Sequence, residues 1–152
     1  MNKVIFTKFL IILFFVSSCG YTPIFSNKNS NFSIIDLKSV GNNKLNKIIF
    51  DKLNNYQNIN SQKKFSIKID TILKKDVASK DAKGNPKTYS MNINLKIYAK
   101  DEKNNLKQKT FSKSINYNNR SNKFKLKKYE NETSKNLAEK IAEDIIIFLQ
   151  SI

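Results

Sequence analysis

The 152 residues carry 28 lysines and arginines against 12 aspartates and glutamates, a formal net charge of +16, with one cysteine and no histidine. Those counts argue against an enzyme, because the commonest general base and metal ligand is missing and Ser/His or Cys/His arrangements cannot be built. With a single thiol there is no intramolecular disulfide, and the length suits one domain with one modest core.

The chain opens on an apolar stretch, "FLIILFFVSSCGYTPIF", Phe9 to Phe25. A membrane span needs roughly 20 apolar residues to cross about 30 Å of hydrocarbon, and this run ends at Ser17. A secretory signal needs a basic start, an apolar run of roughly 7–15 residues and small residues at the cut. Lys3 and Lys8, then Phe9 to Val16, then Ser17 and Ser18 supply all three in order. Val16-Ser17-Ser18-Cys19 resembles the lipobox of bacterial lipoproteins, which makes Cys19 the expected lipidation site and residues 1–18 the signal peptide. The plainer alternative is an ordinary buried thiol beside a secretory signal. One acyl chain is a marginal anchor, since each buried CH₂ contributes about 0.8 kcal/mol, whereas several chains hold. Gly20 after the cysteine is similar to an outer-membrane address. Loss of Lys3 and Lys8 with the signal leaves about +14 (+16 minus 2) on the mature chain.

Residues 19–31 are expected to form a lipidated tether, and 32–152 a single domain. Phe32 to Val40, "FSIIDLKSV", has strand composition and runs into Gly41. Asn42 or Asn43 then caps a short helix whose Leu45, Ile48, Ile49, Leu53 and Tyr56 lie on one stripe. From Lys64 to Lys75, Phe65, Ile67 and Ile69 alternate with polar residues. Ile72 and Leu73 then stand side by side, so a bulge or a strand end is expected near Thr71. Ser79 to Lys87 has loop chemistry around Gly84-Asn85-Pro86. Tyr89, Met91, Ile93, Leu95 and Ile97 alternate cleanly in the next strand, and the turn Asp101 to Asn105 leads to a strand with Phe111, Ile115 and Tyr117 on one face.

Asn118 to Lys128 is basic and poorly periodic, and a closing helix is expected to begin around Asn131 to Ser134, with Glu130 and Glu132 at its positive end. Leu137, Ala138, Ile141, Ala142, Ile145, Phe148, Leu149 and Ile152 fall in one apolar sector. Ile147 lands on the polar face instead, as an unremarkable exposed residue or as a partner contact. These elements predict an α+β two-layer sandwich, a mostly antiparallel sheet of about four strands packed on two α-helices.

So basic a chain raises nucleic acid as a partner, and Lys123 to Tyr129 has the basic, aromatic character that single strands favour. Export argues against it, leaving lipid phosphates and acidic sugars as the expected anionic neighbours. No metal-ligand cluster or phosphate-cradling glycine loop is present, so no metal, cofactor or catalytic residue is expected.

Cys19-Gly20-Tyr21-Thr22-Pro23-Ile24-Phe25, together with the order strand, helix, three strands, helix, resembles the LPS-assembly lipoprotein LptE family of Gram-negative bacteria. Thr88 to Leu106 is similar to that family's central strand and hairpin, and Asn136 to Leu149 to its closing helix. The resemblance implies a non-enzymatic lipoprotein of the cell outer membrane. It would plug and help assemble the LptD β-barrel and assist delivery of lipopolysaccharide. Lys80, Lys83 and Lys87 are then the expected glycolipid contacts. Lys87 stands where many family members carry arginine, which keeps the charge and loses the bidentate fork. The rival expectation is a free-standing envelope lipoprotein that binds anionic lipid or peptidoglycan through its basic face.

Overall fold

The structure, a computed structural model, describes residues 30–57 and 60–152. The signal segment, Cys19 and the tether up to residue 29 lie outside the described residues. The element order is β1 (Phe32–Gly41), α1 (Asn43–Leu53) with a 3-10 turn at Asn54–Tyr56, β2 (Lys63–Lys80), β3 (Pro86–Asp101), β4 (Leu106–Asn118) and α2 (Lys123–Ser151).

The four strands lie in sequence order in one sheet. β2, β3 and β4 are antiparallel neighbours joined by short hairpins. β1 is parallel to β2, with Phe32 opposite Lys63 and Gly41 opposite Thr71, because α1 carries the chain back along the sheet before β2 begins. Both helices cover one face, where Ile69, Ile93, Leu95 and Ile97 meet Leu45, Ile49, Ile141, Ile145 and Leu149 in a continuous buried core. The expected α+β sandwich is the observed one.

The joint between β1 and α1 is tightly made. Gly41 has φ +90, and Asn42 N–H donates to Thr71 O at 2.9 Å. The Asn42 side chain caps α1 by accepting from Leu45 N–H at 3.1 Å, filling one of the orphan donors of the first turn. Tyr56 ends the stripe in the 3-10 turn and stacks on Phe32 with ring centroids 5.0 Å apart.

Two local expectations are corrected. β2 does not bulge or stop near Thr71. Thr71 itself takes the next inward position and is buried, so alternation continues to Leu73 while Ile72 faces out, half exposed. The register shift comes later, between Val77 and Lys80. The closing helix starts at Lys123, not around Asn131 to Ser134, and Asn122 caps it by accepting from Lys125 N–H at 3.0 Å. Glu130 and Glu132 therefore sit about two turns inside the helix, away from its positive end.

Candidate functional site

The expected loop from Ser79 to Lys87 contracts to a five-residue turn, Asp81 to Asn85, because β2 runs on to Lys80 and β3 begins at Pro86. Its construction follows from the residue types. Gly84 N–H donates to Asp81 O at 3.0 Å, Asp81 N–H donates to Asn85 O at 2.8 Å, and Gly84 takes φ +82, which glycine adopts without a Cβ penalty. The Asp81 carboxylate accepts from Lys83 N–H at 2.9 Å, Asn85 N–H at 2.8 Å and the Asn85 amide at 3.2 Å. The bonds from Asn85, backbone first, hold the Asp81 pKa below its ordinary value. The β3–β4 turn repeats the design: Asp101 accepts from Asn105, and Asn104, at φ +66, takes the place of Gly84.

This matters for charge at the tip. The one carboxylate there, Asp81, is committed to the turn. Lys80, Lys83 and Lys87 converge on this hairpin, and among the described residues none of them is in an ion pair. Their positive charge is left facing solvent.

A neighbouring group was not legible as a site in the sequence. After β4 the chain turns beside the start of β3, where Asn119 N–H donates to Lys87 O at 2.9 Å and the Asn119 amide to Pro86 O at 2.8 Å. Arg120 is thereby carried to the same end of the sheet as the lysines, and its guanidinium lies 4.5 Å over the Tyr129 ring. It borders an open cleft of about 290 Å³ with Asn116, Tyr117, Asn118 and Tyr129. Tyr117 contacts Tyr129 and Tyr89 at ring-centroid separations of 5.6 and 5.8 Å, and Lys75 lies 4.2 Å over Tyr89. The result is a row of three tyrosines with a cation stacked at each end. The available signal was compositional: Arg120 is the one arginine among 28 basic residues, and a guanidinium does what an ammonium cannot, stacking flat and offering a planar fork to phosphate.

Beneath the tyrosines, Glu130 accepts the Tyr117 hydroxyl proton at 2.8 Å and pairs with Lys75 at 2.5 Å. Burial first, then the bond to Glu130, pushes the Tyr117 pKa well above its ordinary value. This acid is thus also spent internally, and it holds the hydroxyl of Tyr117, one of the residues that line the cleft.

Ile147 is half exposed near the far end of α2, away from this group. It therefore belongs to a different surface. Cys19 lies outside the described residues. Among the described residues no group of three or more His, Cys, Asp or Glu side chains could hold a metal, and no helix is long and apolar enough to cross a membrane. What the arrangement can do chemically is bind anions: among the described residues Lys80, Lys83, Lys87 and Arg120 make no ion pair, they stand at one end of the sheet, and Arg120 borders the aromatic cleft.

No protein-family model matches the chain, and no curated protein matches its sequence. Solved structures do share its fold. The rare lipoprotein B of Shewanella oneidensis is similar with a TM-score of 0.55 at 12% identity, over 74% of this chain and 93% of that one. A putative lipoprotein from Caulobacter crescentus gives 0.52 at 12% identity, over 80% and 89%. A minor lipoprotein from Acinetobacter baumannii gives 0.51 at 12% identity, over 78% and 92%. At such identities the likeness is one of fold.

Proposed function

We propose that this chain is an outer-membrane lipoprotein of the LptE type, anchored through acylated Cys19. It plugs and helps assemble an LptD-like β-barrel and presents its basic hairpin end to the phosphates of lipopolysaccharide. The observation that carries the reading is the cluster of Lys80, Lys83, Lys87 and Arg120. Among the described residues these cations make no ion pair, and they stand at the end of the sheet opposite the described chain's start, in a fold shared with three bacterial proteins named as lipoproteins. The lipobox-like Val16-Ser17-Ser18-Cys19 and the Cys19 to Phe25 opening supply the rest of the support. Nothing in the reading requires catalysis.

Two measurements test it. Full-length chain purified from the membrane is expected to bring with it a heat-modifiable β-barrel, and retention in the membrane without such a barrel supports a free-standing lipoprotein instead. Charge reversal of Lys80, Lys83, Lys87 and Arg120 to glutamate is expected to abolish binding to purified lipopolysaccharide while leaving barrel capture intact. Unchanged binding removes the tip from the function.

A further inference from the structure

The side of the sheet that faces away from the helices holds an open groove of about 220 Å³. Strand register builds it. One row across the four strands reads Lys38, Lys68, Tyr98 and Gln108, and the row beside it reads Asp36, Ser66, Lys100 and Leu106. All of these except Gln108 line the groove. On the other side of the first row stand Val40, Asp70 and Lys96, with Lys96 Nζ 5.0 Å over the Tyr98 ring. Lys96 and Lys87 are nine residues apart on β3, so at about 3.3 Å per residue the groove lies roughly 30 Å from the hairpin tip.

Charge is not balanced here. Asp36 pairs with Lys38 at 2.9 Å. Asp70 stands opposite Lys96, and among the described residues neither of these two is in an ion pair, nor are Lys68 and Lys100. Over the three rows four lysines meet two aspartates, a surplus of two positive charges (4 minus 2). A phosphate monoester carries about −1.5 to −2 at pH 7, which matches that surplus.

The remaining lining limits what the phosphate is attached to. Ordinary ligand pockets run to roughly 300–1,000 Å³, so this one holds a single ring-sized group. Leu106, 59% exposed at the rim, is the one large apolar side chain on the two lining rows, too little for a lipid tail. The Tyr98 ring is a poor platform for a nucleobase, which needs an open aromatic face, because Lys96 already lies over it. Hydroxyls of Ser66 and Tyr98, which both donate and accept, suit a sugar.

We propose that this groove binds a phosphate monoester carried on a sugar ring, as a second anion site independent of the hairpin tip. The phosphate sits among Lys68, Lys100 and the Tyr98 hydroxyl, and the C–H side of the ring lies against Leu106.

Isothermal titration calorimetry tests this on the full-length chain in detergent, with Lys80, Lys83, Lys87 and Arg120 replaced by glutamate so that the tip takes no part. A separation of roughly 30 Å is about three Debye lengths at 0.1 M salt, so those replacements leave the groove's own field in place. Glucose 6-phosphate is expected to bind about 10-fold or more tightly than glucose or inorganic phosphate, and Lys68→Glu/Lys100→Glu to weaken it about 10-fold or more with an unchanged melting temperature. Lys68→Gln/Lys100→Gln removes the charges without adding repulsion and is expected to weaken binding too, which keeps the test readable if the reversal disturbs the sheet. Lipopolysaccharide stripped of its acyl chains separates two sources of the same chemistry. Displacement of glucose 6-phosphate by it assigns the groove to the glycolipid's sugar phosphates, and no displacement assigns it to a free sugar phosphate; both results require the groove. Inorganic phosphate binding as tightly as glucose 6-phosphate reduces the groove to unselective charge. AMP binding more tightly makes Tyr98 a base platform, and undiminished binding in both double variants puts the ligand elsewhere. Each of these three results overturns the proposal, and none of them bears on the hairpin tip.

Discussion

Replacing Gly41 by alanine tests how the β1–α1 joint is held. The residue has φ +90, where a side chain costs about 1–2 kcal/mol on backbone grounds alone. A Cβ added there would stand 3.0 Å from both Thr71 C and Thr71 N and closer still to Thr71 O. The obstacle is backbone in the middle of β2, so β1 must move. Movement strains the Asn42 N–H to Thr71 O bond at 2.9 Å and the Asn46 amide to Val40 O bond at 3.0 Å, each worth about 1 kcal/mol net. The sum is about 3 kcal/mol, a large part of the roughly 5–15 kcal/mol expected of a domain. Gly84 is the control. Its φ is +82, but a Cβ there meets nothing within 4 Å, so Gly84→Ala costs about 1 kcal/mol, the conformational part alone. Urea unfolding of a non-lipidated Cys19→Ser background, followed by circular dichroism, reads both. At a slope of about 1.5 kcal/mol per M, Gly41→Ala lowers the midpoint by about 2 M and Gly84→Ala by well under 1 M. Equal shifts for the two glycines would refute the steric argument.

Removing Glu130 strands the Tyr117 hydroxyl and the Lys75 ammonium together. Glu130→Ala is expected to cost about 2 kcal/mol, with Glu130→Gln milder because the amide still accepts from Tyr117 and Lys75 is partly exposed; urea midpoints rank them, and a neutral Glu130→Ala removes the network from the stability account. Burial raises the pKa of Tyr56 as well as that of Tyr117, so above pH about 10 the unfolded chain releases protons that the folded one keeps. Stability then falls as pH rises through that range, a fall that is smaller in Tyr117→Phe; alkaline denaturation midpoints check the slope, and identical slopes refute it. Ile147→Asp is expected to leave stability within about 0.5 kcal/mol, since the side chain is half exposed, and to reduce barrel capture if that patch of α2 meets a partner; unchanged capture makes Ile147 an ordinary exposed residue.

What the sequence made legible follows from how single-minded each segment is. Tyr89 to Ile97 has one buried face and one polar face, so period 2 is plain, and the strand is found as expected. Thr71 misleads because threonine has the shape of valine: it occupies a core position, buried at 1% exposure, while Ile72 beside it faces out. Apolar counting then sees a phase slip where the backbone has none. The first three turns of α2 are hidden for a similar reason. Their inward positions are Leu126, the half-buried Tyr129 and Glu130, and then Thr133 and Ser134, so the stripe is real but mostly polar. The Tyr117 bond makes Glu130 an inward residue, and that partner comes from another strand, beyond the reach of local pattern. Likewise the parallel direction of β1 is decided by the crossover through α1 and not by β1's own composition. Arg120 was visible as a residue type, yet its importance lies in proximity to Lys87 and Tyr129, which only the folded chain supplies.

The ends of the domain are not equivalent. β1 starts opposite Lys63, and the Asn31 amide donates to Gln150 O at 3.4 Å, so the entering chain and the end of α2 lie together at one pole. The hairpin cations and Arg120 lie at the other. Between them β2 runs from Lys63 to Lys80, and at about 3.3 Å per residue its length is roughly 55 Å if drawn straight. The hydrocarbon core of a bilayer is about 30 Å thick. Under the proposed anchoring at Cys19, a domain standing upright from one leaflet is long enough to carry its basic tip across to the phosphates of the opposite one. It does so only inside a water-filled passage, because four cations that make no ion pair among the described residues are costly to place in lipid. A free-standing lipoprotein using the same cations on its own leaflet would have to lie flat, bringing both poles to one surface. Under the proposed anchoring, the separation between the described chain's start and the basic tip favours the plug over that rival.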